Sequence, residues 1–144
     1  MPKVLGTGTD MQWGNLLIGA AQIAGGIAAQ DSAYANASLM EAQGLLTRED
    51  YNKQALLVDD EGKRFRAKQT MDYISSGVEM VGTAQLVAKE TLFMSQAKSG
   101  SLRKTGEAMQ TLAQKKAEIT RSEGRAALIS GALTGAGTML NTFS

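Results

Sequence analysis

Ser75-Ser76-Gly77-Val78-Glu79-Met80-Val81-Gly82 is the clearest turn in this chain of 144 residues. Gly77 suits the position just past a helix C-terminus, where the backbone turns left-handed at little cost to glycine. Thr83, after Gly82, suits the N-cap of a following helix. The turn lies near the midpoint of the sequence. If the arms on either side are helices, they fold back on each other as an antiparallel hairpin. Residue i then faces roughly residue 158 − i.

The arms do read as helices. The only proline is Pro2, so proline geometry breaks neither arm. No alternation of polar and apolar residues marks a strand. Residues 31–75 are rich in Ala, Gln, Leu, Lys and Glu, all helix formers. Residues 1–10 read as a flexible arm ending at Asp10, a candidate N-cap for a helix carrying Met11, Trp13, Leu16 and Leu17. The predicted organisation is all-α: a single hairpin domain over 11–144, with arm one over about 11–75, the turn over 76–83 and arm two over about 84–142.

Charge supports the fold-back. Residues 11–30 and 126–144 carry no charge, and both are rich in Gly and Ala. Pairing about the turn brings these apolar ends together. Residues 41–61 hold six acids against Arg48 and Lys53, while their predicted partners, 97–117, hold five bases against Glu107. Exposed pairs contribute well under about 1 kcal/mol each, but together they select a register. Each arm of about 60 residues is roughly 90 Å long.

Within arm one, Tyr51, Ala55, Val58, Gly62 and Phe65 follow a coiled-coil spacing before the register fails at Gln69 and Asp72. Gly44 is a candidate helix end, followed by a capping-box-like Thr47-Arg48-Glu49-Asp50, so a kink there is an open alternative. Leu86, Phe93, Ala97, Met109, Leu112, Ala113 and Ile119 are the expected inner face of arm two. Ser99-Gly100-Ser101 and Gly106 weaken that arm locally. Phe65 and Phe93 fall opposite each other and are expected to pack between the arms.

At the apolar tip, Gly131 and Gly135 form a GxxxG, and Ala20, Ala24 and Ala28 repeat small residues at the same spacing. With Gly19, Gly25 and Gly26 they permit close helix packing. Such packing serves tight soluble helix pairs as well as membranes. The apolar run 16–29 spans about 21 Å as helix, short of the roughly 30 Å of a simple membrane span.

The composition restricts chemistry. There is no His and no Cys, which removes the commonest general base, the commonest metal ligand and all thiol chemistry. Gly6-Thr7-Gly8-Thr9 lacks the lysine of a phosphate loop. Lys63, Arg64, Arg66 and Lys68 form a basic cluster, read as a solvated face with salt bridges at helical spacing rather than as a nucleic-acid contact. No catalytic, metal or cofactor site is expected, and the chain is read as not an enzyme. Seven aromatic residues and sixteen glycines leave a thin core, so partner chains are expected to supply burial, with a homo-oligomer the first choice.

Tyr73-Ile74-Ser75-Ser76-Gly77-Val78, Gly82-Thr83-Ala84 and Gly124-Arg125-Ala126-Ala127-Leu128 with its Gly/Ala-rich tail give the chain a likeness to a known family. In pattern and composition it resembles the small internal virion proteins of short-tailed bacteriophages, the smallest of their ejection or inner-core proteins. The resemblance implies a place inside the capsid near the portal, then exit through the tail and assembly in the host envelope. There such proteins help form a channel for the genome, and in the best-known members the smallest is associated with the outer membrane. Implied partners are portal, tail or other ejection proteins. The chain is shorter than some members and lacks their basic C-terminal extension, so direct DNA contact stays open. The alternative is a helical adaptor or scaffold that stays in the particle, bound to portal or tail.

Overall fold

The computed structural model describes residues 7–79 and 81–141. It contains two helices, α1 (Thr7–Ser75) and α2 (Thr83–Leu140), packed together as a helical hairpin. Among the described residues there is no strand. Two compact units divide the chain: a first of 1–41 with 114–144, and a second of 42–113. In each, a segment of α1 packs antiparallel against a segment of α2.

The turn is built by glycine. The Gly77 N–H donates to the Ile74 carbonyl at 3.2 Å and the Val78 N–H to the Tyr73 carbonyl at 3.0 Å. This is a Schellman motif with Gly77 at C′, and its φ of 76° is the left-handed value the motif requires. The start of α2 corrects the expected cap by one residue. The Leu86 N–H donates to the Gly82 carbonyl at 3.1 Å, which makes Gly82, not Thr83, the N-cap. Gly82 has φ 70°, so a backbone requirement outweighs the side-chain cap that threonine offers.

At the other end, α1 begins at Thr7, so residues 7–10 belong to the helix rather than to an arm. The remainder of the expected arm, 1–6, and Met80 of the turn lie outside the described residues. Glycine at position 8 weakens a helix without removing a backbone donor, so the helix runs on past Asp10. Nor does α1 end at Gly44. The Thr47 hydroxyl donates back to the Gln43 carbonyl at 2.8 Å, the bond of a threonine inside a helix and not of a cap.

The residues buried between the helices are small. In the first unit they are Gly19, Gly26 and Ala37 on α1 against Ala117, Gly124 and Gly135 on α2. In the second unit they are Gly44, Ala55 and Gly62 against Ala84, Ala88, Ser99 and Gly106. Along each helix segment a step of seven residues adjoins one of eleven, an 18-residue repeat, and in the second unit Ala84 precedes that repeat by four residues. Eighteen residues make five turns at 3.6 per turn, so the seam stays on one side of each helix without the supercoil a strict heptad imposes.

Candidate functional site

The seam is defined by how closely the two backbones approach. In the second unit, a Cβ added at Gly44 would lie 2.5 Å from the Ala113 Cβ, and one at Gly106 2.9 Å from the Tyr51 Cβ. A Cβ at Gly62 would collide with Ser95. There the Ser95 hydroxyl donates across the seam to the Val58 carbonyl at 2.8 Å. In the first unit, a Cβ at Gly124 would lie 2.5 Å from the Ala33 Cβ, and one at Gly135 2.7 Å from the Gly19 carbonyl oxygen. Carbon atoms in ordinary contact sit about 3.5–4.0 Å apart, so glycine at these positions sets the helix separation.

Of the residues expected at the apolar tip, the seam brings together Gly19, Gly26, Gly131 and Gly135. A Cβ at Gly131 would meet the Gln22 carbonyl oxygen at 2.9 Å, and one at Gly26 would meet that of Ala127 at 3.2 Å. Ala20, Ala24, Gly25 and Ala28 lie instead on the exposed side of α1. Nothing stands within 4 Å of a Cβ built at Gly25. The register is within a turn of the expected one: Gly44 meets Ala113 and Gln110, and Gly19 meets Gly135 and Met139.

Most of the large apolar residues are outside. Phe65 is 53% exposed and Phe93 71%, which corrects the expectation that they pack between the arms. Of the expected inner face of α2, Ala113 does meet the seam, opposite Gly44, but Leu86, Met109, Leu112 and Ile119 are all exposed. The reason is geometric. Where the backbones are closest, glycine on one helix faces Ala113, Ala33, Ser95, Ile23 or Met139 on the other, and most larger groups turn outward.

Two ion pairs link the helices among the described residues, and the same 18-residue step separates them on each helix. In the first unit Arg121 grips Glu41 through two bonds of 2.6 and 3.0 Å. In the second unit Arg103 donates to Asp59 at 2.9 Å. Arg121 holds the Glu41 carboxyl below its ordinary pKa, chiefly by hydrogen bonding. The Ser99 hydroxyl, and then Arg103, do the same for Asp59. By geometry that hydroxyl donates to the Gln96 carbonyl at 3.0 Å, and Arg103 is the donor on the Asp59 carboxylate. Arg125 donates to the Tyr34 hydroxyl at 2.9 Å and lowers its pKa.

The second unit carries a trough of about 700 Å³ between its helices. Val58, Gly62, Phe65 and Met94 give it an apolar lining. Three cations, Arg64, Lys68 and Lys98, share it with one carboxylate, Glu61. Arg64 also pairs with Asp60 one turn back, at 2.9 Å, as expected of a solvated basic face. The trough places no two carboxylates together. Among the described residues no acidic cluster is arranged to hold a metal ion. No helix of the described residues is long and apolar enough to cross a membrane.

Sequence reasoning found parts of the seam, Ala55 and Gly62 on α1 and four glycines of the apolar ends, but missed its course along both helices because its residues carry little hydropathy signal. A repeat would have found it. Ala37-Ser38-Leu39-Met40-Glu41-Ala42-Gln43-Gly44 recurs 18 residues later as Ala55-Leu56-Leu57-Val58-Asp59-Asp60-Glu61-Gly62, with small seam residues at both ends and the ion-paired acid fifth in each. Comparison with known protein families, with curated proteins and with solved structures gives no match in any of the three.

Proposed function

We propose that this chain is a structural virion protein of a short-tailed bacteriophage, ejected into the host envelope at infection, where it oligomerises to help form a channel for the genome. The observation that carries this reading is the inversion of the packing, with Gly, Ala and Ser the fully buried residues between the helices and most of the Leu, Ile, Met and Phe side chains exposed. Burying one large apolar side chain stabilises by about 1.5–3 kcal/mol. Most of that stabilisation is left for contacts beyond the chain. Copies of itself, other virion proteins at the portal or tail, and the host outer membrane are the partners this reading assigns. The protein acts by packing, without cofactor or catalytic group.

Dye release from liposomes tests it. The wild-type chain is expected to release dye with rising protein-to-lipid ratio. Gly131→Leu with Gly135→Leu, which forces the helices apart in the apolar end, is expected to block genome delivery while particles still assemble. Normal infectivity of that double variant would count against the reading.

The alternative is a helical adaptor or scaffold retained in the particle. It is favoured by the lack, among the described residues, of a helix able to cross a membrane. No leakage and no lipid association would decide for the adaptor.

A further inference from the structure

We infer that the small-residue seam can join two copies of this chain as well as the two helices of one, and that residues 76–83 are the switch that keeps it within a single chain. The observation is one of phase. The buried residues of α1, from Gly19 to Gly62, fall at alternating steps of seven and eleven residues. Those of α2, from Ala88 to Gly135, alternate by the same two steps. The α1 series, continued, would reach positions 80, 91 and 98, and Ala88, Ser99 and Gly106 each stand eight residues later. Taking eight residues out between the helices would merge both sets into one unbroken 18-residue repeat. Since α1 ends at Ser75 and α2 begins at Thr83, 76–83 is a segment of that length.

An α-helix turns about 100° per residue, so eight residues as helix add about 80° beyond two full turns. A chain helical straight through 76–83 would carry its two half-seams on different sides, and one partner helix would not meet both. As a turn, the same residues return α2 onto α1. Gly77 and Gly82, with φ of 76° and 70°, hold them to the turn.

The pairing names the second copy as the partner. Gly44 meets Ala113, Tyr51 meets Gly106, Gly62 meets Ser95 and Ala33 meets Gly124. In every pair the two residues stand equally far along the sequence from the Val78–Glu79 bond. The ion pairs Glu41–Arg121 and Asp59–Arg103 share a centre in the same way, at Val81. Contacts centred on one point are reproduced by a two-fold axis placed there. Two antiparallel copies would make each contact twice, α1 of one against α2 of the other, in an isologous dimer with exchanged helices. The inference goes beyond the proposed function and uses none of the exposed residues on which that rests.

Two deletions that differ by one residue test it in the otherwise full chain. Deleting 76–83 removes the turn and brings the half-seams into phase. Deleting 76–82 also removes the turn but leaves them one residue, about 100°, apart. For each protein, a sample carrying Gly44→Cys and a sample carrying Ala113→Cys are refolded together in dilute solution and oxidised. Association through the outer residues does not form this disulfide. The 76–83 deletion is expected to give disulfide-linked pairs of the two chains on a non-reducing gel. The 76–82 deletion is expected to associate at least about tenfold more weakly by sedimentation velocity, since half of each seam then faces away from its partner. The wild type is expected to give no linked pairs. Equal linkage by both deletions would overturn the role of phase. Free thiols in the 76–83 deletion would overturn joining of copies through the seam, and linked pairs from the wild type would overturn the switch. If the 76–83 deletion does not fold by circular dichroism, removing Val78 alone from Gly77→Ala with Gly82→Ala brings the half-seams to within about 20° of each other. It then takes that deletion's place, with the same double variant retaining Val78 as its comparison.

Discussion

Adding one methyl group to a helix ordinarily helps it. Alanine is better than glycine in a helix interior by about 0.8–1.0 kcal/mol. At Gly100, where nothing lies within 4 Å of the new Cβ, Gly100→Ala should deliver that gain in full. At Gly44 the same change puts the new Cβ 2.5 Å from the Ala113 Cβ. Ordinary carbon contacts are about 3.5–4.0 Å, so the helices must separate locally by about an ångström. Overpacking of this kind costs about 1–3 kcal/mol, which cancels or exceeds the propensity gain. The two variants should therefore differ by about 1–3 kcal/mol in urea denaturation followed by circular dichroism. Ala113→Gly removes the opposing methyl. The double variant Gly44→Ala with Ala113→Gly should return close to wild type, since one helix gains what the other loses. Equal stabilisation by Gly100→Ala and Gly44→Ala would refute close approach at the seam, as would a double variant no more stable than Gly44→Ala.

Three further outcomes are expected. Glu41 and Asp59 have their carboxyl pKa lowered in the folded chain, so their ion pairs stabilise it above the ordinary carboxylate range. That contribution is lost as pH falls below about 4 and on through the folded-state values, and Glu41→Gln with Asp59→Asn should flatten the acid limb of a stability-against-pH curve. Gly77→Ala forces a side chain into a left-handed backbone at φ 76° and should cost about 1 kcal/mol in the same denaturation assay. Phe93→Ser, at a residue 71% exposed, should leave the stability of dilute monomer within about 0.5 kcal/mol of wild type, and a larger loss would return that ring to the interior.

Much of the hairpin is legible in the sequence. The turn announces itself through Gly77 and Gly82, because only glycine takes a positive φ cheaply, and both have it. The uncharged ends and the opposed charges of the two arms fix the register to within a turn. What is hidden is the side α2 buries. Hydropathy weights Leu86, Phe93 and Ile119, and so traces a face that the chain leaves exposed. Gly44 looks like a helix stop for the same reason: from sequence alone, a glycine that ends a helix and one that admits a neighbouring methyl are the same letter. The 18-residue recurrence separates the two cases, because it places Gly44 and Gly62 in equivalent positions and Glu41 and Asp59 beside equivalent arginines. The trough has no sequence signature, since its lining is drawn from both helices.

The chain has no cysteine, so an introduced pair can oxidise only with itself or with another copy. Ala33→Cys with Gly124→Cys tests the seam in the first unit, and Gly44→Cys with Ala113→Cys tests it in the second. Oxidation in dilute protein is expected to give monomers with an internal disulfide for both pairs, seen as faster-migrating single chains on a non-reducing gel. Thiols that stay free, or disulfides that form only between chains, would contradict a small-residue seam joining α1 to α2.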